Sequence, residues 1–252
     1  MSATALLTVV ALGAMAFTLS ACESTESESA RLGREGAKLI ASAGTLGTGG
    51  SNPDVHVGQV ALVQGSGRTA AAVQLTNTSP GAQLDVPVLI DVRNPQGASV
   101  YRNDIEGLEP SLQQMALLPA HASEWWVDDQ VLASGTPSSV KVRVGAAKLS
   151  AGKAAFAGAS SGVQVSGVTL GTQELVGPYL QATAINHSGV TQHNMPVFAV
   201  ALRGTRVVAA GRALVPSLAA SGAGSHASFR LYLVGSTAGA RIELTPAPTT
   251  AQ

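Results

Sequence analysis

Val86-Pro87-Val88-Leu89-Ile90-Asp91-Val92-Arg93-Asn94-Pro95-Gln96-Gly97 puts Val or Ile at 86, 88, 90 and 92 and then closes on a turn cluster. Period two is the repeat of a strand whose alternate side chains face a core, and Asn-Pro-x-Gly supplies residues that reverse a chain. The same grammar extends outward. Val73-x-Leu75 and Val197-x-Ala199-x-Ala201 alternate in the same way, and Gly65-Ser66-Gly67, Asn77 to Gly81 and Ser134 to Pro137 separate such runs. Roughly seven short strands in about 90 residues predict an antiparallel β-sandwich rather than a helical fold. Pro87 and Pro196 fall inside strand patterns; since proline cannot donate to a ladder, their strands are expected to be edges or to be bulged there.

The pattern occurs twice. Val57-x-x-Val60-x-Leu62 returns as Val165-x-x-Val168-x-Leu170, Asn77-Thr78-Ser79 as Asn186-His187-Ser188, and Val86-Pro87-Val88 as Met195-Pro196-Val197. Leu108-Glu109-Pro110-Ser111-Leu112 returns as Leu214-Val215-Pro216-Ser217-Leu218, and His121-Ala122-Ser123 as His226-Ala227-Ser228; Val140-x-Val142-x-Val144 closes the first copy and Ala240-x-Ile242-x-Leu244 the second. Internal repetition is the strongest guide to architecture in a chain without a diagnostic motif. It predicts β-sandwich domains over 54–146 and 162–246, a small-residue linker over 147–161 and a disordered tail over 247–252.

With 15 basic and 15 acidic residues in 252, the chain has no global field to draw in nucleic acid. The charges divide unevenly. Residues 54–146 hold nine acids and five bases, whereas 162–246 hold two acids and five bases. Opposite signs favour packing of the copies on each other at contact distance.

From Ala5 to Leu19 the chain is apolar apart from Thr8, Gly13 and Thr18. Fifteen residues are too few to span a bilayer but suit the hydrophobic region of a signal peptide. Leu19-Ser20-Ala21-Cys22 follows, with the chain's single cysteine, and resembles a bacterial lipobox. The resemblance implies removal of residues 1–21 and a diacylglyceryl group, with palmitate-type chains, on the Cys22 sulfur. Residues 22–53 would then be a tether, opening on the solvated Glu-Ser-Thr run 23–28 and carrying a possible short helix before a Gly-rich stretch. The head would stand on the extracytoplasmic side of the cell membrane. A lone cysteine also excludes an internal disulfide.

The Asn that ends one strand (Asn77, Asn186) and the alternation that runs into a Gly turn (Val88 to Gly97, Val197 to Gly204) resemble the small extracellular FxLYD modules and, more loosely, other Ig-like domains of lipoproteins. So does the late strand opened by small residues (Ser123 to Trp126, Ser228 to Leu231). Asp91 stands near the family's aspartate, and the second copy has none. The resemblance implies two tandem Ig-like domains in an interaction or stalk module, with no catalytic residues or cofactor to carry over.

No nucleophile elbow, zincin pattern or dinucleotide fingerprint is present, so the expectation is a non-enzyme. His121 and His226 share a repeat position before a strand and suggest a turn role. His187 and His193 are six apart, matching neither strand nor helix ligand spacing; with the acidic run Asn103-Asp104-x-Glu106-Gly107-x-Glu109 they form the basis of an alternative reading, a ligand-carrier or metal-binding accessory protein. That run itself lacks EF-hand spacing and reads better as a solvated loop. Trp125 and Trp126 face opposite sides of a strand. The repeat alignment favours Trp126 inside and local alternation the reverse; with Trp126 inside, Trp125 is either the candidate partner-binding hot spot or is packed against the linker or the second copy. The sequence thus points to a membrane-anchored lipoprotein that acts as a protein-interaction or envelope-structural module through an unidentified protein or envelope partner.

Overall fold

The computed structural model describes residues 50–147, 149–151, 162–220 and 222–248. The expected signal peptide, Cys22 and the tether as far as residue 49 lie outside the described residues. The first copy supplies β1 (Val55–Gly65), β2 (Arg68–Asn77), β3 (Ala82–Arg93), β4 (Ser99–Arg102), β5 (Gln114–Leu118), β6 (Ser123–Asp128), β7 (Ser139–Val144) and β8 (Leu149–Ala151). The second supplies β9 (Val163–Gln173), β10 (Gly177–Asn186), β11 (Gln192–Arg203), β12 (Arg206–Leu218), β13 (His226–Gly235) and β14 (Arg241–Pro246).

The fold is all-β, of sandwich type, with antiparallel pairing between its strands. One sheet runs β1-β2-β6; another is built on β3, flanked by β4 and β5 and by β7 and β8. The third is six-stranded, β14-β11-β12-β13-β10-β9, and curls into a half-barrel where β12 passes to β13 through the rungs Ala209↔Gly235 to Gly211↔Leu233. Among the described residues no helix is long and apolar enough to cross a membrane.

The copies share devices that the sequence repeat encodes. The β1–β2 ladder shifts register between Val57 and Val60, and the β10–β9 ladder between Gln181 and Thr183, opposite Thr169 and Ser166. The side-chain amide of Asn77 donates to the carbonyls of Gly81 (2.8 Å), Leu118 (3.2 Å) and Pro119 (3.0 Å). Asn186 does the same to Val190 (2.7 Å), Leu218 (3.2 Å) and Ala219 (3.0 Å). Each Asn oxygen accepts from a serine two residues on, Ser79 or Ser188, so one buried side chain satisfies a whole corner. The copies also differ. β12 runs unbroken for 13 residues where the first copy has β4, an excursion over 103–113 that contains a 3-10 helix (Pro110–Leu112), and β5.

Neither proline lies on an edge. β3 is paired on both sides, and β11 lies between β12 and β14. Instead, a residue in the left-handed region stands two positions before each proline, Asp85 (φ 46°) and Asn194 (φ 48°), and interrupts the strand there. At Pro87 the neighbour of β3 changes from β8 to β7, so no ladder bond requires its missing N–H. Both proline carbonyls are used, by the amides of Gly145 and Ala247 at 2.9 Å.

The hydrophobic interior has two parts. One is internal to the second copy and includes Leu180, Met195, Val197, Ala199, Ala201, Leu218 and Leu231. The other joins Val73, Leu75, Val88, Ile90, Met115 and Trp126 of the first copy to Phe198, Val200, Leu202, Ala210 and Val234 of the second. β11 is therefore buried on both faces, odd residues toward one core and even residues toward the other. Two further expectations change. Leu149–Ala151, within the expected linker, pairs with β3, while 152–161 lies outside the described residues. Ala247, in the expected disordered tail, is buried and hydrogen-bonded.

Candidate functional site

β6 sets Trp126 opposite Val73 and Trp125 opposite Gln74, so the two indoles leave opposite faces of the sheet. Trp126 is inside, and its Nε1 donates to the carbonyl of Ser111 at 2.9 Å. Trp125 is not on the surface. It is 5 % exposed because β14 covers it. Its Nε1 donates to Glu243 Oε2 (2.8 Å) and its backbone N–H to Thr245 Oγ1 (3.3 Å), while Thr245 donates to Glu124 Oε2 (3.0 Å). Of the two readings for Trp125, the exposed hot spot is corrected and packing on the second copy of the same chain is what the structure has. Burial, with the nearby Glu243 charge, holds the Glu124 carboxyl above its ordinary range despite the Thr245 hydrogen bond.

Beside this contact lies a buried charge cluster. Arg212, on β12 and only 5 % exposed at its side chain, reaches into the first copy. Its Nη1 donates to the Glu109 carboxylate and to Ser111 Oγ (2.6 Å), and its Nε to Asp129 Oδ1 (3.4 Å). Arg68 approaches the other oxygen of Asp129 at 3.7 Å. Glu109 is also fixed from the first copy, since it caps the 3-10 helix by accepting the Ser111 N–H at 3.1 Å. Next in line, Tyr101 donates its hydroxyl to Asp128 Oδ2 (2.7 Å), and the Gln130 N–H reaches Asp128 Oδ1 (2.9 Å). Burial pushes Asp128 up to about 6, against the Tyr101 hydrogen bond. Burial also raises Asp129, opposed by Arg212 and Arg68, and burial beside Asp128 raises Tyr101. Opposite charges of the two copies meet at this junction.

The acidic run is not a solvated loop. Asn103 and Asp104 are buried. The Asn103 amide donates to the carbonyls of Val88 (2.8 Å) and Leu112 (2.6 Å), and its oxygen accepts from the Ile90 N–H (2.7 Å). Asp104 pairs with Arg102 and lies 3.9 Å from Arg143; Glu109 belongs to the Arg212 cluster. Of its carboxylates Glu106 is exposed, Glu109 half-buried and Asp104 buried. No group of three or more His, Cys, Asp or Glu able to hold a metal occurs among the described residues. His187 and His193 are both exposed. His121 and His226 are not equivalent: His121 sits in the turn before β6 at φ 56°, whereas His226 opens β13 opposite Ile185, the position that Ser123 holds opposite Thr76.

The outer face of β3, β4 and β7 carries a groove of about 420 Å³, lined by Leu89, Asp91, Arg93, Arg102, Lys141 and Arg143 together with Asp104. Arg102 and Lys141 flank Asp91 on the neighbouring strands. Arg93 grips Asp91 through Nε (2.8 Å) and Nη2 (2.6 Å). The groove offers four cations, of which Arg93 and Arg102 are held by carboxylates, and no hydroxyl or thiol.

No family model and no curated protein matches the chain. Among solved structures, a red sea bream transglutaminase is similar at 14 % identity over 92 % of this chain and 34 % of that one, with a TM-score of 0.23. The chain spans about a third of that protein's length, and a likeness so slight carries no argument about fold or chemistry.

Proposed function

We propose that this chain is a membrane-anchored extracytoplasmic lipoprotein whose two tandem Ig-like domains, 54–146 and 162–246, form a non-enzymatic protein-interaction or envelope-structural module. The junction carries the reading: the even residues of β11 share a core with the first copy, and Arg212 is clamped between Glu109 and Asp129. Two sandwiches sealed in this way present their remaining faces in fixed register, which is what a presenting or spacing module requires. The anchor is the lipid on Cys22, and the partner is a protein or another envelope component. Detergent partitioning and mass spectrometry of the full chain test it: Cys22 should carry a diacylglyceryl group, and Cys22→Ala should release the protein from membranes. Retention of Cys22→Ala in the membrane with an unmodified thiol in the parent would overturn the anchor.

A second reading, an extracytoplasmic ligand carrier, draws support from the groove on β3, β4 and β7. Its metal-binding form gains nothing from the exposed, unclustered His187 and His193.

A further inference from the structure

The same strand face has opposite character in the two copies. With Val88 equivalent to Val197, the ladder pairings match Leu89, Asp91 and Arg93 of β3 with Phe198, Val200 and Leu202 of β11. Across the neighbouring strands they match Arg102 with Ala210, Lys141 with Glu243 and Arg143 with Thr245. In the second copy this face is largely apolar and seals the junction; in the first it is the open groove. The strand geometry therefore accepts apolar residues here, and exposure asks only for polarity, of either sign. Yet four of the five bases of residues 54–146 gather on this face, in a segment that carries nine acids. The fifth, Arg68, is paired with Asp129.

Two carboxylates hold part of that charge in place. Asp91 fixes the Arg93 fork, and the buried Asp104 fixes Arg102. Arg143 is 65 % exposed at its side chain and only 3.9 Å from Asp104, and Lys141 is exposed without an ion pair among the described residues. These two project from one face of β7, two residues and about 6–7 Å apart along the strand. Like charges held side by side, with two arginines behind them, form a track for successive anionic groups.

From this we infer that the groove is a binding site for an extended polyanion, whose neighbouring oxyanion groups rest on Lys141 and Arg143 with Arg93 and Arg102 completing the positive wall. The inference does not depend on lipid anchoring. Long-chain polyphosphate is a suitable probe, titrated into the full chain by calorimetry at low and at physiological ionic strength. The chain should bind it, more weakly as salt rises, and should bind inorganic phosphate roughly tenfold less tightly or worse. Lys141→Gln/Arg143→Gln should weaken polyphosphate binding roughly tenfold or more, with its melting temperature unchanged because both side chains are exposed. Arg203→Gln/Arg206→Gln, at the exposed turn between β11 and β12, should leave binding intact. Absence of binding at low salt, equal affinity for inorganic phosphate, or equal losses in the two double variants would each overturn the assignment.

Discussion

Replacing Arg212 by Ala removes the cation from a junction that keeps its carboxylates. Arg212 is almost wholly buried, Asp129 is 10 % exposed at its side chain and Glu109 33 %. Stripping one member from a buried ion cluster costs about 3–5 kcal/mol, because the remaining charge is left uncompensated. Partial solvation of Glu109, and the help that Arg68 still gives Asp129, place the expected loss at about 3 kcal/mol. For a chain of this size that is roughly 6–12 °C in melting temperature. The loss should depend on pH with a definite sign. Burial already raises Asp129 and Arg212 opposes it, so the variant's Asp129 is raised further. A carboxyl raised in the folded state carries no penalty below its ordinary value and a growing one as pH rises through its folded value. Thermal denaturation of parent and variant at pH 5 and pH 8 should therefore show the larger difference at pH 8. Adding Glu109→Gln and Asp129→Asn should recover most of it. A loss under about 1 kcal/mol, or an equal loss at both pH values, would refute the view that Arg212 clamps the copies together.

Asp128→Asn should stabilise the protein above pH 6 and change little near pH 4. The Asp128 carboxyl is raised to about 6, so its proton contributes stability below the ordinary value near 3.8 that is lost as pH rises through 6, roughly 3 kcal/mol in all; melting curves across that window check it. Asn186→Ala takes the side-chain donor from the Leu218 and Ala219 carbonyls, while Val190 keeps Ser188 and Gln192, and should cost about 2–4 kcal/mol in urea unfolding. Asn186→Asp should not rescue it, since a carboxylate cannot donate. Gly235→Ala should cost about 2 kcal/mol or more by the same measurement: Gly235 has φ 105°, and a Cβ there would meet the Val208 carbonyl oxygen at 2.3 Å and Val63 Cγ1 at 2.6 Å.

The all-β character was legible because period two and turn clusters survive in nearly every strand. The interior position of Trp126 was legible for a subtler reason. Aligning the copies by His121 and His226 sets Trp126 against Leu231, whereas the ladders set it against Phe229, since Val73 and Ala182 are equivalent. The closing strands slip likewise: Val142 faces Ile90 and Leu244 faces Ala199, so Val142 matches Leu244 rather than Ile242. A slip of two residues preserves the face of a strand, and so the inside residue came out right from a wrong register. The junction was harder to read. Its signal is the unbroken run Met195-Pro196-Val197-Phe198-Ala199-Val200-Ala201-Leu202, which marks a strand covered on both sides; picking out only its odd residues hides the second face. Ala70-Ala71-Ala72 is the matching sign in the first copy, small side chains buried completely. Arg212 gave no local signal, because its partners lie 83 to 103 residues away in sequence. Trp125 stayed open between a partner and the second copy for the same reason: alternation assigns a face but not what covers it.

The length of these separations sets the order of events during synthesis. Trp125 meets Thr245 across 120 residues, and Thr245 meets Glu124 across 121. At about 5–20 residues per second, the first copy emerges from the ribosome some 6–24 s before the strand that covers its tryptophan. For that interval Trp125, Val127 and the small residues of β2 form an uncovered apolar sheet face, the surface most able to capture another nascent copy. Closing so long a loop is also slow relative to the local hairpins, so sealing of the junction is the late step of folding and the one most exposed to misassembly.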